Sequence, residues 1–140
     1  MGYATCFVCG QENDKGLQLK FYQDGDSVRA HFHAEPWHEG WPGITHGGVA
    51  SSILDEATAY VTFFMGTVAL TAQLQVEFRD PIRIGEHVDV QAHATKVTRR
   101  VVEVEASIFA EDGALKARSQ AKMLILSEKQ KQEMGLANLL

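Results

Sequence analysis

The chain has little cysteine, little proline, no cationic surplus and no long apolar run, and each shortage removes a class of protein. Cys6 and Cys9 are the only cysteines among 140 residues, so a disulfide framework is excluded. Three prolines and 12 glycines leave little room for a low-complexity linker. No stretch approaches the roughly 20 apolar residues of a membrane-spanning helix. Met1-Gly2-Tyr3-Ala4-Thr5 lacks the charged and apolar regions of a secretory signal, so the cytoplasm is the expected compartment. Lys and Arg total 13 against 18 Asp and Glu, a formal charge of −5, which argues against general attraction to nucleic acid or anionic membrane.

What is present describes one globular domain. The hydrophobic fraction is 45% against 22% charged residues, and the length suits a single core or several copies of it. Residues 1–16 are polar and glycine-punctuated and read as an N-terminal arm, residues 17–126 as the folded domain, and residues 127–140 as a C-terminal tail opening on the helix-cap candidate Ser127.

Within the domain, Leu17, Leu19 and Phe21 alternate with Gln18, Lys20 and Tyr22. After the turn Asp24-Gly25-Asp26, Val28, Ala30 and Phe32 alternate with Arg29, His31 and His33, which predicts a hairpin. Pro36, Gly40, Pro42 and Gly43 then break regular structure. From Val49 the period changes to that of a helix: Val49, Ala50, Ile53, Leu54, Ala57, Tyr60, Val61 and Phe64 share one stripe, and Gly66 ends it. Four more alternating segments follow, led inward by Leu70 to Phe78, Val88 to Ala94, Val102 to Ile108 and Leu115 to Ile125. Strands with one apolar face need a cover, and one long helix is there to supply it. The expected class is α+β, an antiparallel sheet curled around a central helix, with its edges exposed unless a second copy covers them.

The chemistry-bearing segment is Gly40-Trp41-Pro42-Gly43-Ile44-Thr45-His46-Gly47-Gly48, which runs into the helix. Glycines at a helix start let a ligand approach free N–H groups that the helix dipole makes more positive. Such groups polarise a carbonyl or hold an oxyanion; the bland alternative is a loop that merely turns the chain. Opposite the apolar stripe lie Ser51, Asp55, Thr58 and Thr62, beside small Ser52 and Ala59. A solvated face usually carries Lys, Arg and Glu, so small residues around one carboxylate suggest that something packs there. Glu56 is rotated by about 100° from Asp55, towards the edge of the buried stripe, which favours Asp55 as the reactive carboxylate.

The run His46-Gly47-Gly48-Val49-Ala50-Ser51-Ser52-Ile53-Leu54-Asp55-Glu56-Ala57 resembles the signature of hotdog-fold acyl-CoA thioesterases, in the phenylacetate-pathway and THEM-like branch of the 4-hydroxybenzoyl-CoA thioesterase superfamily. The order of loop, helix and strands is similar over residues 17–126. The resemblance implies a hotdog fold, active sites at a dimer interface, and hydrolysis of a CoA thioester. It assigns carbonyl polarisation to the Gly47 amide and shaping of the loop to His46. Asp55 becomes the base or nucleophile, supplied across the interface, and Thr71 falls where relatives orient the attacking water. Gly48 and Glu56 belong to the substrate surroundings. Where several relatives place Asn, six residues before the His, this chain has Gly40, with Glu39 or His38 as the nearest polar substitutes.

Arg79, Arg83, Lys96, Arg99 and Arg100 sit at predicted strand ends. Arg79, Arg99 and Arg100 are the candidates for the coenzyme A phosphates, against the plainer reading of solvated charge. Tyr60 and Phe63, with Phe64, are candidates for limiting an acyl tunnel, or are plain core. Cys6 and Cys9 are either half of a zinc site completed by His31, His33 or His38, or small buried anchors of the arm, the reading preferred here. The arm Cys-Phe-Val-Cys-Gly followed by Gly-Leu also resembles the N-termini of THEM-like bacterial thioesterases. No metal or other cofactor is expected, coenzyme A being part of the substrate. The expected partners are the acyl-CoA substrate and further copies of the chain, as a homodimer or homotetramer. Two other functions fit the same residues, a hotdog enoyl-CoA hydratase or dehydratase and a non-catalytic acyl-CoA binding module.

Overall fold

Helix α1 (Gly47–Phe64) is the axis of the molecule, and its burial follows the 3.6-residue period of the sequence. The structure, a computed structural model, describes residues 4–139; Met1 to Tyr3 of the arm and Leu140 of the tail lie outside the described residues. Ala50, Ile53, Leu54, Ala57, Tyr60 and Val61 are buried. His46 caps the helix, its Nδ1 accepting the Gly48 N–H at 2.8 Å, and the helix ends at Met65 ahead of Gly66.

Around this helix curls one antiparallel sheet of β1 (Tyr22–Asp24), β2 (Ser27–His33), β3 (Ala69–Phe78), β4 (His87–Val97), β5 (Val101–Ala110) and β6 (Leu115–Ile125). The spatial order is β1-β2-β4-β5-β6-β3, so the strand that directly follows the helix forms an edge. Val88, Val90, Val102, Val104, Ile108 and Met123 point from the sheet into the core and are almost fully buried. Burying each such side chain contributes about 1.5–3 kcal/mol. Ala92, Ala106, Ala117 and Ala121 on the same face are short enough for the helix to lie close. A short α2 (Glu128–Glu133) follows, capped by Ser127, whose side chain accepts from Gln130 N. Among the described residues no helix is long and apolar enough to cross a membrane.

Three expectations are corrected. Leu17 to Phe21 do not extend the first strand, because Gln18 takes a positive φ of 54° and the Leu17 and Leu19 amides bond to the Phe7 and Val8 carbonyls of the arm. The arm is therefore packed onto the domain, with Val8 and Cys9 in the core. Thr58 and Thr62 do not face outward with Asp55: both are buried, their hydroxyls donating to the Asp55 and Ala59 carbonyls and their methyls left to the core. In β3, alternation fails at a register shift between Thr71 and Gln73, and on this edge strand Leu70 and Phe78 are exposed.

Candidate active site

The loop before α1 is built to stop at a free amide. Gly40 N–H bonds to the Ile44 carbonyl at 2.8 Å, the Thr45 amide to Ile82, and the His46 amide to His38, so the chain reaches the helix in a fixed direction. At the helix start the Gly48 N–H goes to His46 Nδ1, and the Val49 and Ala50 amides share the His46 carbonyl. Among the described residues that leaves Gly47 with no acceptor for its N–H, at the positive end of α1. The structure thus separates the two glycines: Gly47 is open to a ligand, and the Gly48 amide is occupied. His46 shapes this site as the cap, with Nδ1 as the accepting atom.

The missing Asn also has a physical explanation. A Cβ on Gly40 would stand 3.0 Å from His46 Cα and 3.3 Å from its Cβ, so a larger residue would displace the cap. Neither neighbour replaces it freely. His38 is buried and accepts the Glu35 amide at 2.9 Å, and Glu39 Oε2 accepts the Gly43 amide at 2.7 Å. Burial holds His38 below the usual histidine pKa; the Glu35 charge opposes this and His33 adds to it.

Further along the helix, Asp55 Oδ1 accepts a hydrogen bond from Thr71 Oγ1 of β3 at 2.6 Å. This bond orients the carboxylate and leaves Oδ2 available. Thr71 Oγ1 also lies 3.5 Å from Met123 Sδ, which packs beneath the pair. Asp55 is eight residues from Gly47, about 12 Å along the axis. Glu56 points elsewhere. It is 9% exposed, and its Oε2 accepts from Cys6 Sγ at 2.8 Å. Tyr60, one turn on, is buried and stacked on Phe21 with ring centroids 4.7 Å apart, and Phe63 packs edge-on against it. The structure thus places Glu56, Tyr60 and Phe63 with the arm and the core, on a different face of α1 from Asp55.

A cleft of about 800 Å³ opens at the start of α1, lined by Glu39, Trp41, Thr45, His46, Gly47 and Phe78, with Arg79 to Ile82 and Lys116 at its border. A Cβ on Gly47 would stand 3.4 Å from the Phe78 ring, so this aromatic forms a wall beside the amide. The Thr45 hydroxyl is buried and has no partner among the described residues. Arg79 is half exposed and only 3.6 Å from Glu77, which Arg118 holds more closely at 2.5 Å, so the Arg79 guanidinium remains open to a ligand. Arg99 and Arg100 stand at the β4–β5 turn, beside the register pair Val101 and Leu124, whereas the cleft is at the opposite end, beside Phe78 and Ala117. Within one chain, therefore, only Arg79 of the three arginines lines the cleft.

Lys116 was not among the expected site residues. A bulge between Ile108 and Phe109 leaves it without a cross-strand partner and turns it inward, so strict alternation could not reveal it. Its Nζ donates to Asp80 Oδ2 at 2.8 Å, the Pro81 carbonyl at 3.0 Å and Glu86 Oε1 at 3.1 Å. Burial pulls the ammonium pKa down, and the bonds to Asp80 and Glu86 outweigh this and raise it. The hydrogen bond from Lys116, and then its charge, hold Asp80 below the usual carboxylate range. All three ammonium protons are used, so Lys116 fixes the loop that walls the cleft.

The cysteines lie apart from the cleft. Burial pushes the Cys9 thiol up to about 12, the Tyr60 hydroxyl acting against this and Cys6 and Glu56 adding to it. The histidines proposed beside them stay on their own surface: His31 bonds Asp89 and His87, His33 pairs with Glu35, and His38 packs on Phe32.

A six-stranded antiparallel sheet wrapped around one long helix, with a free amide at the helix start and an oriented carboxylate further along, defines the hotdog class. A model of the thioesterase superfamily matches residues 42–117, more than half of the sequence, and the chain belongs to that family. Over 84 residues it is 30% identical to the acyl-coenzyme A thioesterase THEM4 of Xenopus laevis, covering 60% of this chain and 38% of that protein. The chain spans less than half the length of the curated relatives it matches. Among solved structures, the E. coli PaaI protein of the phenylacetic acid degradation operon superposes with a TM-score of 0.76 at 19% identity, covering 84% of this chain and 88% of that one. The smu.793 protein of Streptococcus mutans, solved bound to acetyl CoA, superposes with a TM-score of 0.74 at 14% identity, covering 78% and 89%. At these identities the likeness carries the fold.

Proposed function

We propose that the protein hydrolyses acyl-CoA thioesters to a free acid and coenzyme A, at sites shared between two copies of the chain. The observation that carries this reading is the pairing of an open Gly47 amide with a carboxylate held by Thr71, about 12 Å further along the same helix. Within one chain these two groups are too far apart to act on one carbonyl. The edge strand β3 offers the means of joining two chains, since it carries ten residues with one side unpaired and with Leu70 and Phe78 exposed. Antiparallel pairing of β3 with its copy sets the Thr71 end of one strand beside the Phe78 end of the other, which brings the partner's Asp55 towards Gly47. The assembly is a homodimer, or a homotetramer of two such dimers.

In this arrangement the thioester carbonyl accepts the Gly47 N–H at the positive end of α1, and charge that develops on its oxygen is stabilised there. The partner's Asp55 takes a proton from water, whose oxygen bonds to the carbonyl carbon, or attacks through its own free oxygen to form a mixed anhydride that water then hydrolyses to the free acid, restoring the carboxylate. The C–S bond breaks and the thiolate leaves with a proton as coenzyme A. Thr71 holds the carboxylate in position, and Arg79 takes a coenzyme A phosphate at the mouth of the cleft. Because Arg99 and Arg100 lie at the Thr71 end of the sheet, they become available to the phosphates only from the partner. The reaction as drawn uses no metal or redox cofactor, and the phosphates meet a few arginines rather than a basic surface suited to nucleic acid.

Thiol release from a panel of aryl, short-chain and long-chain acyl-CoA esters tests this reading, with Asp55→Asn as the control. The expected result is release of free coenzyme A, reduced about 10²- to 10⁴-fold in the variant. Consumption of an enoyl ester without thiol release would mark a hydratase. Saturable binding without turnover across the panel would mark a binding module.

A further inference from the structure

The contact between arm and helix holds an arrangement that the proposed reaction does not use. Cys6 Sγ, Cys9 Sγ and a carboxylate oxygen of Glu56 all lie within 4.8 Å of one another. We propose that Cys6, Cys9 and Glu56 bind one thiophilic divalent ion of the zinc class, which fastens the N-terminal arm to helix α1 one residue beyond Asp55.

Three observations support the site. First, its dimensions suit the ion: zinc–sulfur arms of about 2.3 Å and a zinc–oxygen arm of about 2.1 Å at tetrahedral angles place two sulfurs about 3.8 Å apart and a sulfur and oxygen about 3.6 Å apart. Binding asks that the Cys6–Glu56 contact open from its 2.8 Å and that the other two pairs, within 4.8 Å, settle at these separations. Second, the loop is already a knuckle. Gly10 N–H bonds to the Cys6 carbonyl at 2.8 Å, and the Cys9 amide points at Cys6 Sγ from 3.5 Å, as an N–H does when it supports a metal-bound sulfur. A Cβ at Gly10 would stand 2.4 Å from the Cys6 backbone nitrogen, so this tight turn requires glycine. Phe7 and Val8, between the cysteines, bond in turn to Leu17 and Leu19, which secures the knuckle on both sides.

The third observation is electrostatic. Glu56 is buried, and among the described residues it makes no ion pair; its hydrogen-bond partner is a thiol, a weak donor. Buried carboxylates are ordinarily paired with a cation or coordinate a metal. On binding, both thiol protons leave to solvent, and two sulfur–metal bonds and one oxygen–metal bond form. A fourth position remains for water.

The test uses the full chain, reduced, stripped with a chelator and titrated with Co²⁺. One Co²⁺ per chain is expected, with a thiolate-to-cobalt charge-transfer band, visible bands of tetrahedral intensity, displacement by Zn²⁺, and a higher thermal midpoint with Zn²⁺ than without. Cys9→Ser should abolish most of the charge-transfer intensity. Glu56→Gln keeps both sulfurs, so the band should persist while affinity falls at least about tenfold, the loss typical even of a residue behind a ligand. This variant also covers the case in which Cys9→Ser does not fold. Absence of the band in the wild-type chain at excess Co²⁺ would overturn the proposal. So would Co²⁺ binding that Cys9→Ser leaves unchanged, which would show the ion bound away from the two cysteines. Recovery of Cys6 and Cys9 as a disulfide, two mass units lighter and inert to Co²⁺ in the protein as isolated, would equally replace the metal by a redox pair.

Discussion

In the proposed reaction Gly47 acts through a single proton. Its N–H is the open donor at the start of α1, while its neighbours' amides go to His46. Proline is tolerated at this first helical position, lacks the N–H and suits the preceding backbone, since His46 has φ −57° and ψ 133°. Gly47→Pro should therefore retain helix content and thermal midpoint while hydrolysis falls by about 10²–10³-fold. Circular dichroism alongside thiol release checks both halves, and full activity in the variant would remove the amide from the mechanism. His38 makes the second residue-scale case. Its pKa in the folded protein lies below the ordinary histidine value of 6.5 because burial disfavours the charged ring. Between those two values the unfolded chain binds more protons than the folded one, so stability is fully present above pH 6.5 and is lost as pH falls through the folded pKa. Thermal melts from pH 7 downward should show that decline, and His38→Gln should flatten it.

The elements differ in how far the sequence discloses them, and the difference is physical. α1 is legible because period and stop agree: the stripe from Val49 to Phe64, and Gly66 after it; the His46 cap is added by the structure. Its rotation also separates Asp55 from Glu56 correctly. What each carboxylate touches was not legible, because Thr71 and Cys6 come from segments 16 and 50 residues away. Thr58 and Thr62 misled by type, since a threonine that returns its hydroxyl to the helix backbone presents an apolar methyl. Lys116 was hidden by one bulged residue in β6, which changes the face that a side chain occupies. The bulge carries its own prediction. Lys116→Met strips the Pro81 carbonyl and the Asp80 and Glu86 carboxylates of their shared donor. The loop that borders the cleft should loosen, with a stability loss of about 1–3 kcal/mol in urea unfolding. An unchanged midpoint would show that water replaces the ammonium without cost.

At the scale of the molecule, the distance along α1 becomes a statement about assembly. If Gly47 of one chain works with Asp55 of another, then Asp55→Asn and Gly47→Pro damage opposite halves of each site, and each homodimer is inactive. Mixing the two proteins and letting subunits exchange makes hybrids in which one site carries both lesions and the other carries neither. With random exchange half of the dimers are hybrids, each with one sound site of two, so activity should return to roughly a quarter of wild type. A site contained within one chain gives no such recovery, because every chain in the mixture is defective. Exchange itself is followed independently by native mass spectrometry of differently tagged chains, so that failure to mix is not mistaken for failure to complement. If hybrids form and activity stays at the level of the separate variants, the shared site is wrong, and the gap of about 12 Å along the helix between Gly47 and Asp55 must be closed within the chain.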